Sequence, residues 1–239
     1  YNDPLTHLPN RTAFIRRGEE ALNKNQEAEH QIAFIFMDVD NFKNINDAFG
    51  NAAGDRLLMD IARGLKWNLP QDSFFARLGG DGFGMIFDPC QSRQDLEKSI
   101  SRLLRYFERA WRYKEYMFFV TVSMGIAMWP EDGSTVSMLM QNADVALNQA
   151  KDGGRDRVAY YHRSMKERTW HHIYMHNLLR ESIHSQRFEL HYQAQISLQD
   201  NSLIGLEALV RIKEADGQYI MPLNFIPFAE ANGYIHQIT

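Results

Sequence analysis

The sequence predicts an α+β domain at residues 1–162, with a central, mostly antiparallel sheet and flanking helices. Two apolar runs, at 73–78 and 83–87, surround a glycine-rich turn and are typical of a β-hairpin. Six consecutive apolar residues at 32–37 indicate a fully buried strand. Amphipathic helical patterns before, between and after these strands complete the order expected of an α+β domain.

The elements follow from local patterns. Thr12 is a candidate cap for the first helix, and Ser134 or Thr135 for the last helix of this domain. The order is helix, strand, helix, helix, hairpin, helix, strand, helix, strand. The predicted spans are a helix at 12–23, a strand at 31–39, a helix at 52–69 preceded by a shorter one, the hairpin at 73–87, a helix at 94–110, a strand at 116–128, a helix ending near 151 and a strand at 157–161.

A second region begins at residue 163. Residues 163–185 read as a polar, histidine-rich linker helix. They are followed by a strand at 188–198, a turn at 199–202, a strand at 203–212 and a helix at 222–233. This alternation predicts the start of another α/β domain at 186–239, about one quarter of the length that a barrel needs.

The bulk composition excludes several classes of function. Hydrophobic content of 44% and charged content of 23% are those of a soluble globular protein. The net charge of −4 argues against a nucleic-acid partner. A single cysteine excludes an internal disulfide. No apolar run is long enough to span a bilayer, so we expect a cytoplasmic fragment without membrane contact. Because the chain begins at Tyr1, we expect a longer parent protein, whose membrane anchoring is left open.

Two acidic residues lie at the ends of predicted strands, where their side chains can come together. Asp38 ends the buried strand and Asp81 lies at the glycine-rich turn, where Gly79 and Gly80 allow a ligand to approach the backbone. If the two strands are neighbours, their carboxylates converge and suit Mg²⁺ or Mn²⁺ bound to substrate phosphates. The alternative is an ordinary turn with a solvated aspartate.

Other polar residues extend this pattern. Lys151 and Arg155 end a helix and could meet phosphates. Asn46 and Asp55 offer an amide and an acid able to read a guanine edge. Asp55 could instead be an ordinary acid in the first turn of a helix, where the dipole favours it. Together the residues indicate a metal–nucleoside triphosphate site.

At these positions the sequence resembles the GGDEF family of bacterial diguanylate cyclases. The matched segments are Asp3-Pro4-Leu5-Thr6 with Leu8-Pro9-Asn10-Arg11, the run 38–47, Gly54-Asp55, the run 77–83, the run 123–127, and the positions Ala143, Asp144, Ala146, Leu147, Ala150, Lys151, Gly154 and Arg155. The resemblance implies a nucleotide-cyclase-like palm fold and a homodimer that joins two GTP into cyclic di-GMP.

The resemblance also implies roles for individual residues. Asp38 and Asp81, with the Val39 carbonyl, would be metal ligands. Asn46 and Asp55 would bind guanine. Lys151 and Arg155 would bind phosphates, beside the backbone of Gly79 and Gly80. Two cations would assist attack of a ribose 3′-hydroxyl on an α-phosphate.

Position 82 departs from the family pattern. The family has a glutamate there, which serves metal binding and catalysis, and this chain has Gly82. Loss of that carboxylate predicts a domain that binds GTP and makes little or no cyclic di-GMP, so no intact catalytic residue set is expected. The family's product-inhibition motif is also absent, since its positions hold Pro70, Gln71, Asp72 and Ser73.

The second region resembles the opening of an EAL domain, the TIM-barrel-like cyclic di-GMP phosphodiesterase family. The matched segments are the run 192–196, with Ala194 in place of proline, the run 207–211, and the positions Pro222, Phe225, Ile226, Ala229, Glu230, Gly233, Tyr234 and Ile235. The resemblance makes Glu207 a metal ligand and Gln193, Leu209 and Arg211 contacts for cyclic di-GMP. The remaining ligands and the base of that family would lie beyond Thr239.

Three functions remain open from the sequence. The first is a GTP-binding module that regulates an attached EAL domain. The second is a working enzyme, either a weak cyclase or a parent phosphodiesterase. The third is a dimerisation scaffold with an empty site. Separately, His172 and His176 have a spacing that can bind zinc, although no third ligand is evident and a solvated linker helix is the alternative.

Overall fold

A five-stranded mixed sheet is the framework of the first of two units. The computed structural model describes residues 1–25, 30–70, 73–90, 92–214 and 216–238. The units are Tyr1–Lys166 and Glu167–Thr239. The elements that begin within the first unit are α1 (Arg11–Lys24), β1 (Gln31–Val39), α2 (Phe42–Phe49), α3 (Asn51–Asn68), β2 (Ser73–Gly79), β3 (Gly82–Cys90), α4 (Arg93–Phe107), β4 (Trp111–Tyr113), β5 (Tyr116–Phe118), β6 (Val122–Trp129), α5 (Val136–Asp152), β7 (Val158–Tyr160) and α6 (Arg163–His184), which runs into the second unit.

The strand order β2-β3-β1-β6-β7 places β1 at the centre of this sheet. Strand β1 pairs antiparallel with β3 on one side and with β6 on the other, and only the β6–β7 pair is parallel. Its run of apolar residues is buried on both faces, which explains why it shows no alternation. The predicted α+β class with a mostly antiparallel sheet is confirmed.

Helices cover both faces of the sheet. Alternate residues of β1, such as Ile35 and Met37, pack with α3 and α4. The intervening residues, such as Phe34, pack with α1 and α5. Helix α5 lies especially close to β6, because a Cβ atom at Gly125 would be only 2.1 Å from the Ala143 carbonyl oxygen. This three-layer packing brings the end of β1, the hairpin turn and the end of α5 to one edge.

Several predicted boundaries differ from the structure. Asn10, not Thr12, caps α1, because its side chain accepts a hydrogen bond from the Ala13 amide. The single strand predicted at 116–128 is wrong, since its first residues form a separate two-stranded ribbon, β4 with β5. That ribbon is held by a stacking contact between Phe118 and Phe49, whose ring centroids are 5.2 Å apart. Thr135 is the cap of α5, one of the two residues predicted.

The second unit is built on a three-stranded antiparallel sheet. Its elements beyond α6 are β8 (Phe188–Ile196), β9 (Leu203–Lys213), β10 (Tyr219–Ile220), α7 (Pro222–Ala231) and α8 (Ile235–Ile238). Strands β8 and β9 form a hairpin, because a connection as short as residues 197–202 can join only antiparallel neighbours. A small core of α6, β9 and α7 residues, including Met175, Ile212 and Phe225, covers part of this sheet.

Across the described parts of the chain, the helices all fall short of the length and apolar character that a membrane crossing requires.

Candidate functional site

The glycine-rich turn has the backbone conformation that the sequence predicts. Gly79 and Gly80 have φ angles of 124° and 55°, values that favour glycine. The guanidinium of Arg77, which is almost fully buried, donates to the carbonyl oxygen of Gly80 and to the Asp3 carboxylate. The turn therefore has one defined shape, which is tied to the N-terminal segment of the unit.

Asp3 is itself well anchored. It accepts hydrogen bonds from the backbone and the hydroxyl of Thr6, at 2.8 and 2.7 Å. Burial acts to raise the pKa of Asp3, but the bonds from Thr6 and the charge of Arg77 outweigh it and leave that pKa below its ordinary value. The N-terminal motif thus acts as a support for the hairpin turn.

The carboxylates of Asp38 and Asp81 are neighbours. Asp38 lies directly opposite Gly82 in the β1–β3 register. Burial, and then the nearby charge of Asp38, raise the pKa of Asp81 above its ordinary value. Two acids that repel each other in a partly buried site favour a cation between them. Val39, the third member of the predicted ligand set, is buried at the end of β1 and is paired with Val122.

Lys151 provides a positive charge at this point. Its ammonium group contacts the Asp38 carboxylate, and both side chains are largely buried. The lysine lies in the last turn of α5, which crosses the sheet towards the end of β1. In this structure the predicted phosphate ligand is therefore paired with a predicted metal ligand.

Asp40, two residues further along, has a structural role. One carboxylate oxygen accepts from the Ser123 hydroxyl at 2.7 Å, and the other accepts from the Thr121 hydroxyl at 2.8 Å and the Asp156 amide at 3.0 Å. Both of its carboxylate oxygens accept from protein donors. Asp40 consequently ties β6 and the loop after α5 to the end of β1.

Arg155 lies in the loop whose Asp156 amide donates a hydrogen bond to Asp40. Its backbone is left-handed, with φ of 63°, and its amide donates to the Ala150 carbonyl oxygen at 3.1 Å. The residue is exposed. Its guanidinium can therefore reach a ligand at the surface.

Asn46 and Asp55 lie where α2 packs against α3. The side-chain oxygen of Asn46 is buried and has no hydrogen-bond partner. An unpaired buried acceptor costs about 1–3 kcal/mol, so a ligand that supplied a donor here would recover that free energy. Asp55 is exposed. Because α3 begins at Asn51, one residue earlier than predicted, Asp55 lies beyond the first turn, and a simple helix-dipole role is weakened.

Gly54 makes this arrangement of Asn46 possible. A Cβ atom at position 54 would lie 2.0 Å from the Asn46 side-chain oxygen and 2.8 Å from the ring of Phe42. Sequence reasoning assigned no role to Gly54 beyond its place in a motif. The motif Gly54-Asp55 was the available signal, since a glycine inside a helix needs a packing reason.

A groove of about 910 Å³ opens beside Asp38, between α1, α5 and the hairpin. Its wall includes Arg11, Asp144, Gly79 and Gly82. Burial, and then the charge of Asp38, raise the pKa of Asp144, while Arg11 and Lys151 act in the opposite direction. Asp144 is a member of the site that sequence reasoning did not assign, although it lies in a matched motif.

The donor set suits a hard divalent cation. Asp38 and Asp81 supply carboxylate oxygens at the open edge of the sheet, and such sites hold Mg²⁺ with waters and substrate phosphates completing the shell. Within the described ranges, no group of three or more His, Cys, Asp or Glu side chains is arranged to hold a metal. A metal here would therefore depend on additional ligands from a bound phosphate compound. The predicted product-inhibition positions Gln71 and Asp72 lie outside the described residues.

The second unit arranges its predicted residues on one face of a sheet. Gln193 lies directly opposite Glu207 in the β8–β9 register. Leu209 and Arg211 follow Glu207 at intervals of two, so all four share the same side of the hairpin. Glu207 and Gln193 are exposed, and Arg211 is partly buried. Three of the four side chains are polar, and they place a carboxylate, an amide and a guanidinium on this face.

Two histidines of α6, His172 and His176, contact aromatic residues of the second unit. His176 lies 2.9 Å from the Tyr234 hydroxyl, and His172 packs edge-on against Phe228. No zinc cluster forms among the described residues. The alternative of a fully solvated linker helix also needs correction, because α6 contributes Met175, Leu178 and Leu179 to the small core of the second unit.

Comparisons with known proteins identify two protein families in the chain. The family model for the diguanylate cyclase GGDEF domain matches residues 1–157, and the model for the EAL domain matches residues 176–239. The bifunctional diguanylate cyclase/cyclic di-GMP phosphodiesterase MucR of Pseudomonas aeruginosa is 33% identical over 237 residues, which cover 99% of this chain and 34% of that protein. The cyclic di-GMP phosphodiesterase PdeR of Escherichia coli is 33% identical over 233 residues, covering 98% of this chain and 35% of that protein.

A solved structure gives the same result for the fold. The GGDEF domain of TpbB, also called YfiN, from Pseudomonas aeruginosa superposes with a TM-score of 0.69 and 32% identity. The match covers 71% of this chain and 99% of that chain. The present chain spans about a third of the length of MucR and of PdeR.

Proposed function

Because the chain belongs to the GGDEF family of diguanylate cyclase domains, with EAL sequence after it, we propose that it is a regulatory module of a cyclic di-GMP signalling protein. Its GGDEF domain binds GTP together with Mg²⁺ or Mn²⁺ and makes little cyclic di-GMP. Nucleotide binding then shifts the attached EAL domain between states. The observation that carries the proposal is that Asp38 and Asp81 still flank the glycine turn while position 82 holds only a hydrogen atom.

Different residues of the chain bind the base, the phosphates and the metal ion of the GTP complex. Asn46 and Asp55, at the α2–α3 junction, take the guanine edge, which satisfies the unpaired Asn46 oxygen. Lys151 and Arg155, at the end of α5, take the phosphates. Asp38 and Asp81 would hold the divalent cation, which when bound neutralises the charge of the triphosphate.

Without a carboxylate at position 82, the domain is expected to lose the catalytic step and to keep GTP binding. Removal of one charged or hydrogen-bonding group that acts on the transition state costs on the order of 10²- to 10³-fold in rate. GTP recognition uses other side chains, which are all present. The expected behaviour is nucleotide binding with turnover far below that of a complete site.

Calorimetric titration of the chain with GTP in the presence of Mg²⁺ tests the binding half of the proposal. We expect saturable binding to GTP and weaker binding to ATP. The Asp55 carboxylate would accept a hydrogen bond from guanine, and ATP carries no guanine. Asp55→Ala is the matched variant, because the residue is exposed and its loss does not disturb the core. Absence of GTP binding at millimolar concentration would exclude the proposal and favour a dimerisation scaffold with an empty site.

Product formation tests the catalytic half. The chain and its Gly82→Glu variant are incubated with GTP and Mg²⁺, and cyclic di-GMP is measured by chromatography. We expect the variant to exceed the unaltered chain. Comparable turnover in the two proteins would show that Gly82 does not limit the reaction.

A second activity is supported by the second unit. The polar face with Gln193, Glu207, Leu209 and Arg211 fits the proposal that the complete parent protein hydrolyses cyclic di-GMP. If the two domains are coupled, cyclic di-GMP must change the affinity for GTP by the same factor as GTP changes the affinity for cyclic di-GMP. An assay of the parent for loss of cyclic di-GMP, with Glu207→Ala as the inactive control, tests this. Equal hydrolysis by the parent and by that control would reject it.

A further inference from the structure

The ion pair between Lys151 and Asp38 is partly buried. The lysine ammonium contacts one carboxylate oxygen of Asp38, and the side chains are only 29% and 20% exposed. Partly buried pairs are screened less by solvent than surface pairs. The pair therefore holds both groups in place when no ligand is present.

Two further carboxylates surround the same ammonium. Asp81 and Asp144 both lie close enough to Asp38 and Lys151 for those charges to act on them. Lys151 thus acts on all three acids, while Arg77 also acts on Asp81 and Arg11 on Asp144. The ammonium lies where three carboxylates gather, a position that favours a cation.

Gly82 lies against the same carboxylate of Asp38. A Cβ atom at position 82 would lie 2.9 Å from the other carboxylate oxygen of Asp38, which is closer than real Cβ contacts allow. A side chain at this position would therefore require that oxygen to shift. A hydrogen atom at position 82 lets Asp38 remain on Lys151.

We propose that Lys151 is the resident cation of this site, which neutralises Asp38 and excludes free divalent metal until a phosphate ligand draws the ammonium away. The inference deepens the proposed function, on which it rests for the identity of the phosphate ligand. The ammonium and the metal compete for one carboxylate, so metal and nucleotide bind together more strongly than either binds alone. Exchange of Lys151 from Asp38 to phosphate is then the event that marks the occupied state.

Binding of Mn²⁺ alone, without nucleotide, tests the competition directly. The whole chain is titrated with Mn²⁺ and the free ion is measured by electron paramagnetic resonance. We expect Lys151→Gln to bind Mn²⁺ at least about tenfold more tightly than the unaltered chain, a difference of about 1.4 kcal/mol. Lys66→Gln, which removes an exposed lysine on α3, should leave the affinity unchanged.

Gly82→Ala separates the geometric cause from the change of charge. It adds a methyl group against Asp38 without altering any charge, and the φ angle of Gly82 is not in the left-handed region. We expect a several-fold gain in Mn²⁺ affinity, because the carboxylate is displaced from Lys151. Adding Asp38→Asn to Lys151→Gln should abolish the gain, which assigns it to this site.

An equal or weaker Mn²⁺ affinity in Lys151→Gln would overturn the inference, as would tight Mn²⁺ binding by the unaltered chain. Neither result depends on GTP. Failure of GTP binding would reject the proposed function while the Mn²⁺ titrations still decided the role of Lys151.

Discussion

Replacement of Asp40 by alanine should destabilise the GGDEF domain strongly, although this residue is not expected to touch any ligand. Its side chain is buried at the end of β1 and accepts three hydrogen bonds, from the Ser123 and Thr121 hydroxyls and the Asp156 amide. These bonds join β1 to β6 and to the loop that carries Arg155. The alanine variant removes all three acceptor contacts at once.

The loss of stability depends on whether each of the three donors can find another hydrogen-bond acceptor in the alanine variant. A hydrogen bond to a charged group contributes about 1.5–3 kcal/mol, and such terms are not additive. Asp156 is exposed, so its amide can recover a bond to water, whereas Ser123 is fully buried and cannot. We therefore expect a loss of about 3 kcal/mol. For a domain of this size that loss lowers the melting temperature by about 6–12 °C.

Asp40→Asn is the matched control. The asparagine oxygen can accept from Thr121 and Asp156, and its amide can donate to the Ser123 hydroxyl, which is able to accept. The Thr121 and Asp156 donors then keep their acceptor and Ser123 becomes the acceptor of the new amide, while the charge is lost. The cost should be only about 1 kcal/mol.

Calorimetric melting of the whole chain measures both losses, and hydrogen exchange in peptides from β1 and β6 assigns them to the first unit. Protection in those strands should fall in the alanine variant and remain in the asparagine variant. Equal destabilisation by the two variants, or a loss below about 1 kcal/mol for alanine, would refute the hydrogen-bond argument.

Three further outcomes are expected. Gly54→Ala should lower GTP affinity at least several-fold, measured by calorimetry, because the new methyl group displaces Asn46; unchanged affinity would remove Asn46 from the site. Arg77→Gln should cost about 3–5 kcal/mol in unfolding free energy, because a buried ion pair is broken, and a urea titration that shows no loss would contradict this. Burial raises the pKa of Asp132, so its charge destabilises the fold increasingly as pH rises above the ordinary value of 3.8. Asp132→Asn keeps an acceptor for the Met128 amide and should raise the melting temperature at pH 7 but not at pH 3, and an equal gain at both values would contradict the assignment.

Much of the fold was accessible from sequence because its signals are local. Six consecutive apolar residues predict strand β1, and two adjacent glycines, which adopt the left-handed backbone conformation, predict the hairpin. The β4–β5 ribbon was missed because its strands are three residues long and depend on a ring contact between Phe118 and the distant Phe49. A pairing that depends on tertiary packing leaves no periodicity to detect.

At the candidate site too, some features were predictable from the sequence and others were not. Sequence reasoning placed Asp38 and Asp81 together because two strand ends could be matched to one edge. It did not foresee that Lys151 would pair with Asp38, since that contact depends on how closely α5 packs on β6 at Gly125. It also did not predict that both carboxylate oxygens of Asp40 accept from protein donors. Side-chain roles at a site are decided by competing partners, which only the packed structure reveals.

Under the proposed function, glycine at position 82 has two separate consequences. The site has no carboxylate at this position, and Asp38 has no neighbouring side chain that would shift its carboxylate beside Lys151. Gly82→Glu reverses both changes together, whereas Gly82→Ala reverses only the second. Activity that appears in the glutamate variant but not in the alanine variant belongs to the carboxylate. Metal affinity that rises in both belongs to the release of Asp38, and its separation from catalysis would show that the residue at position 82 controls metal binding and catalysis in two different ways.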